Sequence, residues 1–397
     1  MEENIKVANL STCGACGHAL HTAFDLPNLP LTGIFVSERE AEKPHGHDQA
    51  LMMCRSCGHA QLSSVLEPAF LYGGHYAHRS SASHLTPSST QFITAYLDRM
   101  FGDRRFKRIL EIGCNDLVLL NKLAPRAEAV VGIDPLWIGK ELPPMPDNMH
   151  VVGSFIENVD IEQAAGGRPD LIVSTHNLEH LVDPLAQVRR LLDAATPEAV
   201  VVMEVPDCDA MVQNLRFDQV FHQHVHYFGL SSFLRLVKEA GAHYVDHTYN
   251  WRNWGGSLTV AFSRNSALAR PEPEVQRPSD NVLPERYALF RKRMAGLRDV
   301  IEGIPYEIWA YGAAQMLPTF AYHLESDLGF LAGIYDDCPK RTGLTYPTIA
   351  ARIFKPDAQT SMTEAMVMIT ALDAVRPILN RLRDFNPKQI LVPSQIF

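Results

Sequence analysis

The chain has 397 residues, of which 46% are hydrophobic and 20% charged, and 36 basic against 45 acidic residues give a net charge of −9. This composition is typical of a globular protein of two or three domains, and the acidic balance argues against a nucleic-acid partner. No run of about 18 apolar residues predicts a membrane span, and residues 1–13 lack the apolar core of a signal peptide. We therefore expect a cytoplasmic protein with neither membrane nor nucleic acid among its partners.

Two cysteine pairs with the same spacing mark the N-terminal region. They lie in CGACGH (13–18) and CRSCGH (54–59). Two residues between cysteines let both sulfurs reach one metal ion, and the following glycine permits the tight turn that this geometry needs. Four thiolates leave no coordination position open, which is typical of a structural zinc site; the alternative is four thiols without metal. We predict one structural zinc per chain, with the ligands Cys13, Cys16, Cys54 and Cys57.

Strands that alternate with helices are predicted for the rest of the chain. Apolar runs typical of buried strands lie at 107–113, 129–134, 169–175, 199–205 and 256–262, and again at 306–312, 328–337, 364–371 and 388–394. Helical patterns between them predict βαβ units and parallel sheets. A Pro-rich linker at 269–281 separates the two sets. We expect an α/β protein with domains at 1–82, 83–268 and 282–397.

The first predicted strand of the second region runs into LEIGCNDLVLL (110–120), a loop that suits a nucleotide cofactor. Gly113 permits close approach of a ligand, but positions 115–117 lack the further glycines of a dinucleotide fold. Glu111 suits a cationic group, and Asp134, at the end of the second strand, can accept both hydroxyls of a ribose. This combination favours S-adenosylmethionine over a nicotinamide cofactor or a fold that binds no cofactor.

Further cofactor contacts are expected at the carboxyl ends of the other strands, because α/β sheets bind their ligands there. The GSF segment (153–155) falls where the adenine is held, and STHNLEHL (174–181) follows the next strand. The candidate cofactor residues are Glu111, Gly113, Asn115, Asp134, Ser154, Phe155, His176 and Asn177.

The segment VFHQHVHYF (220–228) places three histidines among large apolar side chains, without a charge. The pKa of imidazole is about 6.5, and an apolar wall favours the neutral form that accepts a proton. If the segment is extended, His222, His224 and His226 share one face, so not all three can be catalytic. The segment predicts a dry pocket with one working imidazole.

A set of motifs in order along the chain carries a family resemblance. Besides the cysteine pairs they are LTGIF (31–35), YAHRSSAS (76–83), EIGCND (111–116), HNLEHLVDP (176–184), FHQHVHYF (221–228), WGGSL (254–258), WAYGAA (309–314) and YDDCPKRTG (335–343). With these motifs the chain resembles the three-domain, zinc-containing nucleotide-sugar C-methyltransferases, which use S-adenosylmethionine to methylate deoxy keto-sugars. The resemblance implies a zinc-binding N-terminal domain, a central class I methyltransferase sheet and a smaller C-terminal Rossmann-like domain that grips the sugar nucleotide. We accordingly expect a nucleotide-sugar substrate, and a monomer or weak homo-oligomer.

The resemblance also implies catalytic positions. Tyr76, His180 and His224 match residues of the family, and His224 stands at the position of the general base. A base removes the proton alpha to a ketone, and donors near the carbonyl oxygen stabilise the enolate. We assign His224 as the base, with His180 and Tyr76 near that oxygen. The family has tyrosine and glutamate where this chain has Phe221 and Gln223. We expect Gln223 to leave the base without an anionic partner, so that burial lowers the pKa of His224.

Three other interpretations stay open on the sequence alone. An amine or hydroxyl acceptor would tolerate Phe221 and Gln223, since an amine needs little help from a base. A zinc-containing RNA methyltransferase is disfavoured by the acidic charge. A degenerate member of the family would bind its ligands without catalysis.

Overall fold

The computed structural model describes residues 6–37, 46–71 and 86–393. Within these residues the backbone forms four β-sheets, and helices accompany the two larger ones. No helix in the described part of the chain is both long and apolar enough to cross a membrane. The predicted catalytic residue Tyr76 and its motif at 76–83 lie outside the described residues.

The N-terminal region is made of short antiparallel strands. Its elements are β1 (Val7–Asn9), β2 (Leu20–Pro30), β3 (Gly46–Cys54), β4 (Ala60–Leu62), β5 (Ser64–Leu66) and α1 (Pro68–Leu71). Strands β2, β3 and β4 are neighbours in one sheet, while β1 pairs with β5 in another. Leu20 at the start of β2 pairs with Cys54 at the end of β3, and this register brings the two cysteine pairs to the same end of the hairpin.

The central region contains a seven-stranded sheet. Its elements, with one short strand outside that sheet, are α2 (Thr86–Phe101), β6 (Phe106–Ile112), α3 (Val118–Leu123), β7 (Ala127–Ile133), β8 (Met149–Val152), α4 (Ile161–Ala164), β9 (Leu171–Thr175), α5 (Pro184–Ala194), β10 (Val200–Pro206), α6 (Cys208–Gln213), β11 (His226–Tyr227), α7 (Leu230–Glu239), β12 (His243–Asn250) and β13 (Ser257–Ser263). The strand order is β12-β13-β10-β9-β6-β7-β8, and β13 runs antiparallel to both of its neighbours. This order confirms the predicted class I methyltransferase sheet.

The order of the central strands positions the ligand crevice. From β6 the chain passes to β7 on one side, and β9 pairs with β6 on the other side. In such sheets the crevice opens at the carboxyl ends of the strands where the order switches. The loop after β6, at 113–117, and the loop after β9, at 176–180, therefore lie at the same edge.

The C-terminal region forms a second α/β unit. Its elements are α8 (Val282–Glu302), β14 (Ile308–Tyr311), α9 (Leu317–Leu324), β15 (Leu331–Tyr335), β16 (Ile353–Phe354), β17 (Met366–Ile369), α10 (Val375–Leu382) and β18 (Gln389–Leu391). All five strands are parallel, in the order β16-β15-β14-β17-β18. This is the smaller Rossmann-like sheet that the sequence predicts. The preceding segment 269–281 contains no helix or strand, as expected of a linker, and the exact domain boundaries stay predictions.

The three regions share parts of one structure. Strand β11, which belongs to the central region in sequence, pairs with β4 and so extends the N-terminal sheet. One buried apolar cluster contains Leu51 of β3, Phe217 of the central region and Phe320 of α9. The histidine segment 220–228 is thus held between the N-terminal sheet and the central sheet.

Candidate active site and zinc centre

The four cysteines of the N-terminal region form a closed cluster. The Sγ–Sγ distances are 3.6 Å for Cys13 and Cys57, 3.6 Å for Cys16 and Cys54, and 3.4 Å for Cys16 and Cys57. A tetrahedral zinc ion with Zn–S bonds of about 2.3 Å holds its sulfurs about 3.8 Å apart, so the cluster fits one zinc ion with little adjustment. All four thiols are buried, which leaves no open position for a substrate.

The two cysteine knuckles are built alike. Gly17 and Gly58 have φ angles of 74° and 76°, in the left-handed region that glycine adopts at little cost. The N–H of Gly17 donates to the carbonyl of Cys13, and the N–H of Gly58 donates to the carbonyl of Cys54. The glycine of each motif is therefore needed for the turn that brings its two sulfurs together.

Asp134 closes the loop that follows β6. Its Oδ2 accepts a hydrogen bond from the N–H of Asn115 at 2.8 Å, and its Oδ1 accepts one from the N–H of Leu136 at 2.7 Å. A carboxylate oxygen can accept more than one hydrogen bond, so this group is chemically suited to hydroxyl donors as well. The structure thus holds a buried carboxylate in a fixed orientation at the end of β7, where the sequence predicts the ribose contact.

Glu111 lies near Asp134 at the end of β6. Its side chain is buried, and Oε2 has no hydrogen-bond partner among the described residues. Burial, with a smaller contribution from Asp134, raises the pKa of Glu111 well above its usual range. A buried carboxyl oxygen without a partner costs free energy, which a hydrogen-bond donor or a cationic group of a ligand can recover.

The backbone of the same loop is left-handed at three positions. The φ angles are 75° at Gly113, 41° at Asn115 and 69° at Leu117. A Cβ atom at Gly113 would lie 3.0 Å from the side-chain amide of Asn177, so this glycine lets the loop after β9 come close. The left-handed conformation of Leu117 costs about 1 kcal/mol, because its Cβ atom crowds the backbone.

Ser154 and Phe155 lie half-buried on the loop after β8, at the same edge of the sheet. The hydroxyl of Ser154 donates to the carbonyl of Phe155 at 3.1 Å. Trp137 joins this loop to the first one, because its indole N–H donates to the carbonyl of Asn115 at 2.7 Å and its backbone lies against Gly153. The sequence analysis did not assign Trp137 a role.

The histidine segment is not extended, so the condition under which its three histidines would share one face is not met. A turn at 222–223 precedes β11. Nε2 of His222 lies 2.8 Å from the carbonyl oxygen of Leu29, and Nδ1 of His226 lies 3.0 Å from Nε2 of His59, next to the second cysteine pair. These contacts with the N-terminal region place the side chains of His222 and His226 away from each other.

His224 lies in a cluster with His180 and Glu179. Nε2 of His224 lies 4.0 Å from Oε1 of Glu179, and Nε2 of His180 lies 3.9 Å from the same oxygen. The two imidazole rings meet edge to face at 4.9 Å. The rings of Phe221 and Trp254 lie 4.2 Å and 5.8 Å from that of His224 and form its apolar wall. The structure thus brings together the two predicted catalytic histidines that it describes.

His176 lies between two buried carboxylates instead of facing solvent. Its Nε2 is 2.9 Å from Oε1 of Glu204, and its Nδ1 is 3.5 Å from Oε1 of Glu179. Burial opposes a charge on His176, but the two carboxylates outweigh it and raise the pKa of His176 to about 10. Burial likewise raises the pKa of Glu179, but His176 and the neighbouring histidines lower it to about 2. His176 is therefore an imidazolium at neutral pH.

His224 is neutral, as the sequence predicts, but it does not lack an anionic partner. Burial and then His180 lower the pKa of His224 to about 3, while Glu179 acts in the opposite direction. The side-chain amide of Gln223 is hydrogen-bonded to Thr32 of the N-terminal region. Its Oε1 accepts from the hydroxyl of Thr32 at 2.9 Å, and its Nε2 donates to the carbonyl of Thr32 at 3.3 Å. The carboxylate near His224 comes from Glu179 and not from position 223.

Glu179, His180 and His224 also carry the atom types that bind divalent metals, and these atoms lie within 4.8 Å of one another. Neighbouring ligands of a divalent cation with bonds of about 2.1 Å lie about 3.0 to 3.5 Å apart. The distances of 3.9 and 4.0 Å to Oε1 are longer than that. The geometry suits charge interaction between an acid and two imidazoles better than metal ligation.

Sequence reasoning missed Glu179 and Glu204. Glu179 lies inside the HNLEHLVDP motif, and Glu204 is the one charged residue in the apolar strand β10. A charge in a run predicted to be fully buried needs a partner, and this pattern could have identified both residues.

Two family models and one curated protein match parts of the chain. A family model described as "Methyltransferase domain" matches residues 84–247, and one described as "Putative zinc binding domain" matches residues 13–72. The chain is 26% identical to the C-methyltransferase NovU from Streptomyces niveus over 279 residues, which are 68% of this chain and 64% of that protein.

Solved structures of methyltransferases are also similar. The N-methyltransferase NodS from Bradyrhizobium japonicum WM9, in complex with S-adenosyl-l-homocysteine, is 17% identical and matches with a TM-score of 0.35, covering 46% of this chain and 88% of that one. A complex between the Haloferax volcanii Trm112 methyltransferase activator and a methyltransferase is 8% identical and matches with a TM-score of 0.37. The match covers 45% of this chain and 91% of the matched chain. These scores are too low to carry an argument about function. The family matches show that the chain combines a zinc-binding domain with a methyltransferase domain and is similar over most of its length to a C-methyltransferase.

Proposed function

We propose that the protein is an S-adenosylmethionine-dependent C-methyltransferase that acts alpha to the ketone of a nucleotide-linked deoxy keto-sugar. The observation that carries this proposal is the buried cluster of Glu179, His180 and His224 at the mouth of a methyltransferase sheet. The similarity to NovU supports a carbon acceptor. We also propose that the C-terminal domain grips the sugar nucleotide. On this proposal the protein works in the cytoplasm as a monomer or weak homo-oligomer, without membrane or nucleic acid among its partners.

The residues at the carboxyl edge of the central sheet fit the proposed cofactor. Asp134 is oriented to accept the ribose hydroxyls, and Glu111 offers a buried oxygen to the cationic amino group. The other proposed contacts come from the three neighbouring loops: Gly113, Asn115, Ser154, Phe155, His176 and Asn177. His176 carries a positive charge, which suits the carboxylate end of the cofactor. When bound, S-adenosylmethionine supplies the electrophilic methyl group.

The proposed chemistry begins with a proton transfer to His224. A neutral imidazole in an apolar pocket can accept the proton alpha to the ketone, which leaves an enolate as the carbon nucleophile. The Nδ1 of His180 donates to the carbonyl of Gln223 at 2.6 Å, which orients the ring beside His224. We propose that Tyr76 donates to the enolate oxygen and that His180 lies near it, and that Gln223 positions the segment through Thr32.

The experiment that tests this function follows the α-proton directly. The probes are thymidine diphosphate 4-keto-6-deoxyglucose and its 2-deoxy analogue, in D2O with S-adenosylhomocysteine. We expect exchange of the α-proton with the wild type, and His224→Asn should slow it about 10²- to 10⁴-fold, as is typical for loss of a general base. Calorimetry should show unchanged binding of S-adenosylmethionine. Near-normal exchange in His224→Asn would show that the base is another residue.

A second candidate acceptor is an amine on the same kind of sugar. The lowered pKa of His224 makes it a weak base, and an amine brings its own nucleophile. Product analysis separates the two candidates, because methylation at carbon gives a branch that resists base and methylation at nitrogen gives an amine of changed basicity.

A further inference from the structure

Glu179 is a buried carboxylate at the centre of three imidazoles. Its side chain is 1% exposed, and neither of its oxygens has a hydrogen-bond partner among the described residues. Oε1 lies 3.5 Å from a nitrogen of His176, 3.9 Å from one of His180 and 4.0 Å from one of His224. A buried charge is costly unless neighbouring charges offset it, so the position of Glu179 needs a reason.

Two hydrogen bonds to backbone carbonyls keep the segments that carry Glu179 and His224 next to each other. The N–H of Val225 donates to the carbonyl of Glu179 at 2.8 Å. The imidazole of His180, one residue after Glu179, bonds the carbonyl of Gln223, one residue before His224. These two hydrogen bonds tie the loop after β9 to the histidine segment. The closeness of the carboxylate and the imidazole is therefore fixed by the fold on both sides.

We propose that Glu179 is the charge partner of His224, a positioning residue that stabilises the imidazolium formed when His224 accepts a proton. The inference rests on the proposed function, in which His224 accepts a proton. Gln223 is neutral and its amide bonds Thr32. A carboxylate for the new imidazolium must then come from another element, and Glu179 is in place.

The charges around the cluster agree with this role. Glu179 and Glu204 both lie against one ring, that of His176, so Glu179 has no cation of its own in this cluster. Protonation of His224 places a second imidazolium 4.0 Å from Glu179 and balances it. His180 faces the same oxygen, and the walls at Phe221 and Trp254 carry no charge. An opposite charge at about 4 Å favours the charged form by roughly 1 to 3 pKa units.

The test replaces Glu179 in the full-length protein and measures exchange of the α-proton of thymidine diphosphate 4-keto-6-deoxyglucose in D2O. Glu179→Gln keeps the shape and removes the charge, and it should lower the exchange rate at saturating substrate about 10- to 100-fold with KM nearly unchanged. Glu179→Asp should restore part of the rate. The matched control is Glu198→Gln, the same chemical change at an exposed position near the opposite end of β10, which should leave the rate unaltered.

A double variant, Glu179→Gln with His224→Asn, distinguishes an effect of Glu179 on His224 from a general structural effect. If Glu179 acts through His224, Glu179→Gln should have no further effect in a His224→Asn background, whereas independent effects would multiply. A wild-type rate in Glu179→Gln, or multiplied effects in the double variant, would overturn the inference while leaving the base assignment intact. Failure of the wild type to exchange any α-proton would overturn the proposed function together with it.

Metal analysis of the same samples tests the competing occupant of the cluster. We expect about one equivalent of zinc in the wild type and in Glu179→Gln, bound by the N-terminal cysteines. A second equivalent of a divalent metal that is lost in Glu179→Gln would overturn the inference, because the cluster would then be a metal site.

Discussion

Histidines in this protein take different charge states because their surroundings differ. His224 has one carboxylate near Nε2 and an apolar wall, and its pKa falls to about 3. His176 has a carboxylate at each ring nitrogen, and its pKa rises to about 10. His222 is buried against the carbonyl of Leu29, and burial lowers its pKa to about 4. One residue type thus supplies a neutral imidazole and a fixed cation around Glu179, and a packing group against the N-terminal strands.

The charge on His176 makes stability depend on pH. Its pKa is about 10 in the folded protein and about 6.5 in the unfolded chain. A raised folded pKa means that the stabilisation is fully present below pH 6.5 and is lost as pH rises through 10. We expect His176→Asn to reduce the free energy of unfolding in urea most at pH 6, and progressively less towards pH 10. A difference from wild type that does not change with pH would contradict the charged state, and His243→Asn, at an exposed position, is the control.

At the scale of elements, the interior strands of the two larger sheets could be predicted from sequence, and three of their four edge strands could not. The predicted runs at 107–113 and 199–205 match β6 and β10 within one or two residues, because strands buried on both faces are continuous apolar runs. Three strands of the two larger sheets that the sequence did not predict, β8, β12 and β16, lie at sheet edges, whereas the edge strand β18 lies within the predicted run at 388–394. The three unpredicted strands are short or carry polar residues, so they lack a continuous apolar run.

Several residues of the candidate active site and of the zinc centre could be predicted from sequence, but the arrangement of the histidine side chains could not. Asp134 and the cysteines follow from fixed positions relative to strands and turns, which the chain's own sequence specifies. The course of 220–228 depends on Leu29, Thr32 and His59, which are distant in sequence. The role of Glu179 likewise follows only when β9 and the histidine segment are brought together.

The zinc site should stabilise strand β11 as well as the N-terminal hairpin of β2 and β3. Cys54 ends β3, and β4 next to it pairs with β11, which begins two residues after His224. Cys54→Ser should lower the zinc content well below one equivalent per chain and, because the knuckle then loses its fixed geometry, increase amide hydrogen exchange at His226 and Tyr227. Cys338→Ser, outside the cluster, should change neither. Full zinc content in Cys54→Ser would show that the cysteine cluster is not the zinc site.

At the scale of the whole molecule, a buried ion network joins the central region to the C-terminal sheet. The guanidinium of Arg216 donates to Asp218 at 2.9 Å from two of its nitrogens and also to Asp373 at 3.1 Å. Gln219 donates to Asp373 at 3.2 Å, and the hydroxyl of Thr319 in α9 donates to the carbonyl of Asp218 at 2.6 Å. This network lies beside the histidine segment that begins at Val220. The relative position of the two sheets therefore depends on a few buried charges as well as on apolar packing.

Removal of the shared cation should loosen this junction. Arg216→Ala leaves Asp218 and Asp373 close together without a positive charge, and breaking a buried ion pair costs about 3 to 5 kcal/mol. Asp373→Asn leaves the two bonds to Asp218 in place and should cost about 1 kcal/mol. We expect guanidinium unfolding of Arg216→Ala to show an earlier transition, and limited proteolysis to cut the linker at 269–281 faster than in wild type. Equal losses of stability in the two variants would show that only the contact of Arg216 with Asp373, and not the one with Asp218, contributes to stability. Unchanged cleavage of the linker would show that the apolar contacts suffice to hold the two sheets together.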